Sequence, residues 1–220
     1  STVSDNQAAT TGGGISCYAN NVSVIHSTIS GNQAGTTGGG IYSSCQLNLT
    51  NSTLSGNRAP NDGGGGIYQA GAGSATVAAV TLAGNTAQFG GGVYNNDSSG
   101  GSLTLQYTLL AGNLAGNCDG SGITSQGYNL ADDNNCGALT EPSDQKNVAL
   151  PLGPLADNGG PTRTHLPLAG NPAIDAIPAA ECGFSNDQRD VARPVNKLCD
   201  IGAVEVSAQP QRLFLPLVRR

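Results

Sequence analysis

The chain has 220 residues, of which 33 are glycine, 4% are aromatic and 11% are charged, and its net charge is −6. Such a length holds one domain, or one domain with a small module. The negative balance argues against nucleic acid or an anionic membrane as a partner, and the regular return of aliphatic side chains separates the chain from disordered polypeptides.

The first segment, Thr2-Val3-Ser4-Asp5-Asn6, opens a motif of the form T-[VIL]-x-G-N whose asparagines are Asn6, Asn32, Asn57, Asn85 and Asn113. An aliphatic precedes each by three residues (Val3, Ile29, Leu54, Leu82, Leu110) and an alanine follows by two (Ala8, Ala34, Ala59, Ala87, Ala115). A second element returns at Gly12-Gly13-Gly14-Ile15, Gly38-Gly39-Gly40-Ile41, Gly64-Gly65-Gly66-Ile67 and Gly90-Gly91-Gly92-Val93. A third alternates: Val22 and Val24, Leu47 and Leu49, Ala75 and Val77, Leu103 and Leu105.

Each repeat therefore reads as three short strands with one aliphatic face, separated by Gly- or Asn-rich corners. One coil cannot bury that face alone, but stacked coils pair every backbone group and enclose the aliphatic columns. The expected fold is all-β, a right-handed single-stranded parallel β-helix (a pectate-lyase-like solenoid), with the handedness taken from the general rule for parallel crossovers. Leucine-rich and calcium-binding nonapeptide repeats do not fit, because their signatures are absent. Glycine density excludes helical repeats.

Six cysteines without a CxxC or Cys/His metal spacing point to an oxidising compartment. Cys17 and Cys45 sit close in the aligned coils, and Cys118 with Cys136 and Cys182 with Cys199 are the natural local pairs, although six cysteines allow other connectivities. Tyr42, Tyr68 and Tyr94 follow the inward aliphatic of the glycine element and should point outward, one coil apart. They suit either a sugar-stacking strip or a stabilising aromatic ladder. Asn21, Asn48, Asn51 and Asn96 stand in N-x-[ST] sequons, which such a composition also produces by chance.

The composition breaks near residue 131. Before it the charged residues are Arg58, Asp5, Asp62, Asp97 and Asp119; the remaining ionic residues, and most prolines, come after. We divide the chain into the repeats (1–131), an irregular C-terminal capping module (132–206) and an apolar tail (207–220). The first part is too poor in charge for the clustered carboxylates of a lyase or glycosidase, so no catalytic residues, cofactor or metal are assigned. Asp132-Asp133-Asn134-Asn135 reads as a polar turn or as calcium ligands. Asp187, Arg189, Asp190, Arg193, Asp200 and Glu205 read as ion pairs and turn contacts within the module, with a site as the alternative. His26 and His165 have no partner at a catalytic or metal spacing and read as structural.

The runs Leu152-Gly153-Pro154-Leu155-Ala156-Asp157-Asn158-Gly159-Gly160-Pro161-Thr162, Gly170-Asn171-Pro172-Ala173-Ile174-Asp175, Asp187-Gln188-Arg189, Arg193-Pro194 and Cys199-Asp200-Ile201-Gly202-Ala203-Val204-Glu205 together resemble a choice-of-anchor Q domain. The upstream G-G-G-[IV] and S-T-[IL]-S-G-N elements resemble polymorphic outer-membrane-protein repeats. The resemblance covers about residues 1–206 and implies a bacterial protein that is exported and surface-associated, without catalytic residues to carry over.

No stretch is apolar enough to span a bilayer. A chain that starts at Ser1 and lacks methionine suggests a removed signal peptide. The expected role is structural or adhesive at the cell surface, with a carbohydrate-binding or carbohydrate-active β-helix as the alternative and surface glycans as possible ligands. The N-terminus enters directly into a repeat, and the tail carries Leu213, Phe214, Leu215, Leu217 and Val218. Head-to-tail self-association, with that tail adding to a neighbour's edge, is a further expectation.

Overall fold

The computed structural model describes residues 1–195 and 197–206. The tail with Leu213, Phe214, Leu215, Leu217 and Val218 lies outside the described residues. The chain winds into a parallel β-solenoid of about five turns, and among the described residues it is all-β apart from a single 3-10 turn at Ala179–Glu181. The repeat columns of the sequence are the register of its sheets.

In the first sheet Val3, Ile29, Leu54, Leu82, Leu110 and Ala131 stand one above another. So do Val22, Leu47, Ala75, Leu103 and Ile123. The second sheet runs from Gln7–Ala8 through Gln33–Ala34 and Arg58–Gly63 to Thr86–Phe89. The third stacks Ile15, Ile41, Ile67, Val93 and Cys118. These columns merge into one core, in which Ile29, Ile41, Leu54, Ile67 and Leu82 are fully buried. Burying a side chain of this size contributes about 1.5–3 kcal/mol, and the solenoid repeats that gain at every level.

The three consecutive glycines have separate reasons. Gly64 has φ +70°, where a side chain is strained. A Cβ on Gly65 would lie 2.5 Å from the carbonyl oxygen of Gly91, and one on Gly66 would lie 2.6 Å from that of Gly92. The corner is thus built from backbone packed directly on backbone.

The other corner is an asparagine ladder. Asn85 Oδ1 accepts from the backbone N–H of Asn57 at 3.0 Å and from its Nδ2 at 2.9 Å. Asn85 Nδ2 in turn donates to Asn113 Oδ1 at 2.9 Å and to the Leu54 carbonyl at 3.1 Å. Asn32 and Asn57 repeat the pattern. At the top, Asn113 donates to Asn117 Oδ1 at 2.7 Å and Asn117 to Asp132 Oδ1 at 2.7 Å.

Residues after 131 divide into two structural roles. Asp132, Asp133 and Asp144 close the last coil. Asp132 Oδ2 accepts from Gly112 N at 2.5 Å, Asp133 Oδ2 from Asn117 N at 2.9 Å, and Asp144 Oδ1 from Asn129 N at 2.9 Å. The Asp132-Asp133 turn is therefore a cap whose carboxylates hold backbone and amide N–H groups. Beyond them, Leu130 pairs with Gln145, while the strands Cys118–Gly120 and Ile123–Ser125 pair on their inner side alone among the described residues.

From Leu152 onward the chain does not stay at the end. It returns along the flank to the first coil. Thr28 Oγ1 donates to the Arg163 carbonyl at 2.5 Å, Asn51 Nδ2 to the Asn186 carbonyl at 3.0 Å, and Thr53 Oγ1 to Gln188 Oε1 at 2.7 Å. Ala203 N donates to Thr81 Oγ1 at 3.1 Å. The cause is the outward column Thr28, Thr53, Thr81 and Leu109, which strand alternation turns away from the core and which the returning segment buries. At the adjacent bend, His26, Asn51, Ala79, Tyr107 and Tyr128 all have positive φ. Their side chains or backbones meet the same segment: His26 Nδ1 lies 3.3 Å from Asp190 Oδ1, and Tyr107 Oη donates to the Glu181 carbonyl at 2.7 Å.

Candidate functional site

One flank of the solenoid lies under the returning segment, and its other surfaces differ in chemistry. On the outer face of the third sheet stand Tyr18, Tyr42, Tyr68 and Tyr94. The Tyr42 and Tyr68 centroids are 5.7 Å apart with planes at 12°, and those of Tyr68 and Tyr94 are 5.1 Å apart at 13°. Tyr18 continues the row 5.3 Å from Tyr42, tilted by 42°. Asn96 Nδ2 donates to Tyr68 Oη at 3.2 Å. A sugar stacks on a free ring face, whereas these faces are turned toward each other along the row. Stacked pairs of this kind contribute about 0.5–1.5 kcal/mol each beyond burial. Tyr18, which follows Cys17 in the sequence, is the member that the glycine-element pattern does not reveal.

The strands Asn21–Ile25, Gln46–Ser55, Ser74–Ala83, Ser102–Gln106 and Ile123–Ser125 carry no charged residue. Ser23, Asn48, Thr76, Thr104 and Thr124 form one outward column on them. The Thr104 and Thr124 hydroxyls are 3.1 Å apart. Repetition at the strand spacing of about 4.8 Å makes this wall a regular array of hydroxyl and amide groups. Its polar groups are neutral.

The cysteines pair as Cys17–Cys45, Cys118–Cys136 and Cys182–Cys199, with Cα separations of 5.8, 4.7 and 5.8 Å. The first joins neighbouring coils, the second ties the last coil to its cap, and the third closes the returning segment on itself.

That segment contains the ionic cluster. Asp187 is fully buried; its Oδ2 accepts from Arg189 Nη2 at 2.8 Å and Nε at 3.0 Å, and from Glu205 N at 2.9 Å. Arg193 donates to the carbonyls of Asp200 and Gly202, each at 2.6 Å, and lies 3.5 Å from Glu205 Oε2. Glu205 accepts from Val195 N at 3.0 Å and Asp200 N at 2.9 Å. Backbone groups and opposite charges satisfy these side chains except for Arg193 Nε, which has no hydrogen-bond partner among the described residues, and the cluster works as a clamp. Asp190 stands apart, beside His26.

Burial pushes the Asp200 carboxyl up to about 7 from an ordinary 3.8, against backbone N–H groups of Asp175 and Val206 that hold it down. A carboxyl raised on folding contributes stability that is complete below its unfolded value and is lost as the pH climbs toward the folded value. The thermal midpoint is therefore expected to fall between pH 5 and pH 8. Asp200→Asn is expected to flatten that slope, which scanning calorimetry at the two pH values would show.

His165 is held between two partners that no sequence spacing signalled. Its Nε2 lies 2.8 Å from Ser55 Oγ, 110 residues away, and its Nδ1 lies 2.7 Å from the Gly153 carbonyl. Among the described residues no group of His, Cys, Asp or Glu has the geometry of a metal site, and no helix is long and apolar enough to cross a membrane.

With this geometry in place, comparison with known families finds one segment. Residues 26–44 match the Chlamydia polymorphic membrane protein repeat. The matched stretch holds Thr28–Ser30, the ladder asparagine Asn32, Gln33–Ala34, the glycine corner and Ile41–Ser43, so it touches all three sheets of one coil. No curated protein and no solved structure matches the chain.

Proposed function

We propose that this chain is a surface-associated, adhesin-like β-helix that works by binding through its open wall. The observation that carries the reading is that wall: an in-register, charge-free array of hydroxyl and amide groups on a protein whose net charge is −6. The polymorphic membrane protein repeat at residues 26–44 supports surface association, and three disulfides support an extracellular setting. Residues 132–206 serve as a choice-of-anchor Q-like module. This reading does not require self-association.

The ligand that suits such a wall is a neutral, polyhydroxylated polymer. Binding to it should change little between 0.1 and 1 M salt, because ion pairs contribute nothing there. Co-sedimentation of the full chain with insoluble neutral polysaccharides tests this. A Thr76→Lys, Thr104→Lys variant is expected to lose binding while keeping its thermal midpoint. Retention of binding by that variant, or binding that disappears in salt, would overturn the assignment to this wall.

A further inference from the structure

We propose that Ser55 and His165 form a nucleophile–base pair that cleaves short carboxylic esters in the cleft between the solenoid wall and the returning segment. The proposal goes beyond adhesion and stands on a separate part of the surface.

Ser55 belongs to the column Ser4, Ser30, Ser55, Ala83 and Ala111, the residue after each inward aliphatic. Only at Ser55 does the returning segment deliver a histidine, with Nε2 at 2.8 Å from Oγ. The opposite ring nitrogen, Nδ1, is 2.7 Å from the carbonyl oxygen of Gly153. A carbonyl oxygen only accepts, so Nδ1 carries the proton and Nε2 presents its lone pair to the serine hydroxyl. Nucleophile, base and orienting group are thus in hydrogen-bonded sequence, which is the arrangement that activates a serine. Burial lowers the imidazole's proton affinity and keeps it neutral at physiological pH.

Ser55 also faces an open volume. It lines a cleft of about 460 Å³ with Ser4, Thr28, Ser30, Leu155 and Arg163, and Asp5 is the cleft's other charged residue. The Arg163 side chain is exposed and has no ion-pair partner among the described residues, so it is the donor available to a developing oxyanion. The neighbouring backbone donors are committed: Gly31 N bonds the Ser55 carbonyl at 2.9 Å and Gly56 N that of Ala83 at 3.0 Å. Leu155 is the one large apolar group in a lining of hydroxyls, which suits a short acyl group on a polar, hydroxylated carrier and not a long chain.

The step balances without a co-reactant other than water. Ser55 Oγ bonds to the acyl carbon as its proton passes to Nε2. The ester C–O bond breaks and the alcohol leaves with that proton. Water then attacks the acyl-serine, giving its proton to Nε2. The bond to Oγ breaks, the acid leaves and Ser55 recovers its proton. One ester and one water become one acid and one alcohol.

The full chain should hydrolyse p-nitrophenyl acetate faster than the octanoate ester, and a fluorophosphonate probe should label Ser55, as read by peptide mass spectrometry. Ser55→Ala should remove the label and lower the rate by about 100-fold. That variant should fold, because alanine already occupies the same column at Ala83 and Ala111. His165→Gln should lower the rate similarly, and His26→Gln should leave it unchanged. Labelling elsewhere or not at all, a Ser55→Ala rate equal to that of the wild type, or equal rates on both esters would each overturn the proposal.

Discussion

Replacing Asn85 with alanine is expected to destabilise the chain by about 4 kcal/mol, since it takes a partner from several buried polar groups, each loss costing about 1–3 kcal/mol. The Asn57 backbone N–H and one Nδ2 hydrogen lose their acceptor, and the Leu54 carbonyl and Asn113 Oδ1 lose a donor. All lie in a fully dry corner, because Asn57 and Asn85 are 0% exposed. Asn85→Asp is the sharper probe. Its carboxylate could still accept from Asn57, but it would meet Asn113 Oδ1 and the Leu54 carbonyl with no hydrogen to donate. The loss at pH 7 should therefore be at least that of alanine, and part of it should return near pH 4, where a protonated carboxyl regains one donor. Guanidinium unfolding at both pH values reads the difference. An alanine variant within about 1 kcal/mol of the wild type would remove the ladder from the account of stability.

Arg193→Ala should cost about 3–5 kcal/mol, the range for breaking one side of a buried ion pair. Arg193 and Glu205 are 8% and 2% exposed, so water cannot replace the missing cation. The carbonyls of Asp200 and Gly202 lose their donors as well. The expected defect is local: limited proteolysis should cut within residues 152–206 while the circular dichroism of the solenoid persists. Arg193→Lys should not restore resistance, because one ammonium cannot bridge both carbonyls in the fixed fork geometry of a guanidinium. Adding Glu205→Gln to Arg193→Ala should recover part of the loss. If Arg193→Ala resists protease as the wild type does, the cluster does not hold the segment down.

The columns Val3-to-Ala131 and Ile15-to-Cys118 could be read from the chain because solenoid packing is periodic: the same side chain is needed at the same place in each coil. What lies over Thr28, Thr53 and Thr81 could not be read that way. A threonine facing water and a threonine under Gln188 have the same position in the alternating pattern, and only the path of a distant segment separates them. Ser55 and His165 were hidden for the same reason: one belongs to a repeat and the other does not, so no spacing connects them. The tyrosine row was visible as a row, but the direction of its rings was not, since alternation fixes the side of a sheet and leaves χ angles free. The charge break near residue 131 had a physical origin that the sequence only hinted at. An irregular segment must satisfy its backbone with side chains, and Asp187 and Glu205 do this where strands need no such help.

The return of the chain along the flank changes how the coils respond to stress. In a simple stack each turn touches only its neighbours, so an end turn can peel away while the rest persists. Here Gln188 binds Thr28 at the first full coil and Gly202 binds Tyr107 three coils further on, so one segment spans the array. Opening the first coil requires lifting that segment, and lifting it exposes the apolar cluster of Tyr107, Leu109, Ile177 and Ile201. Fraying at one end is thereby linked to loss of cover at the other, and the turns should melt together rather than one by one.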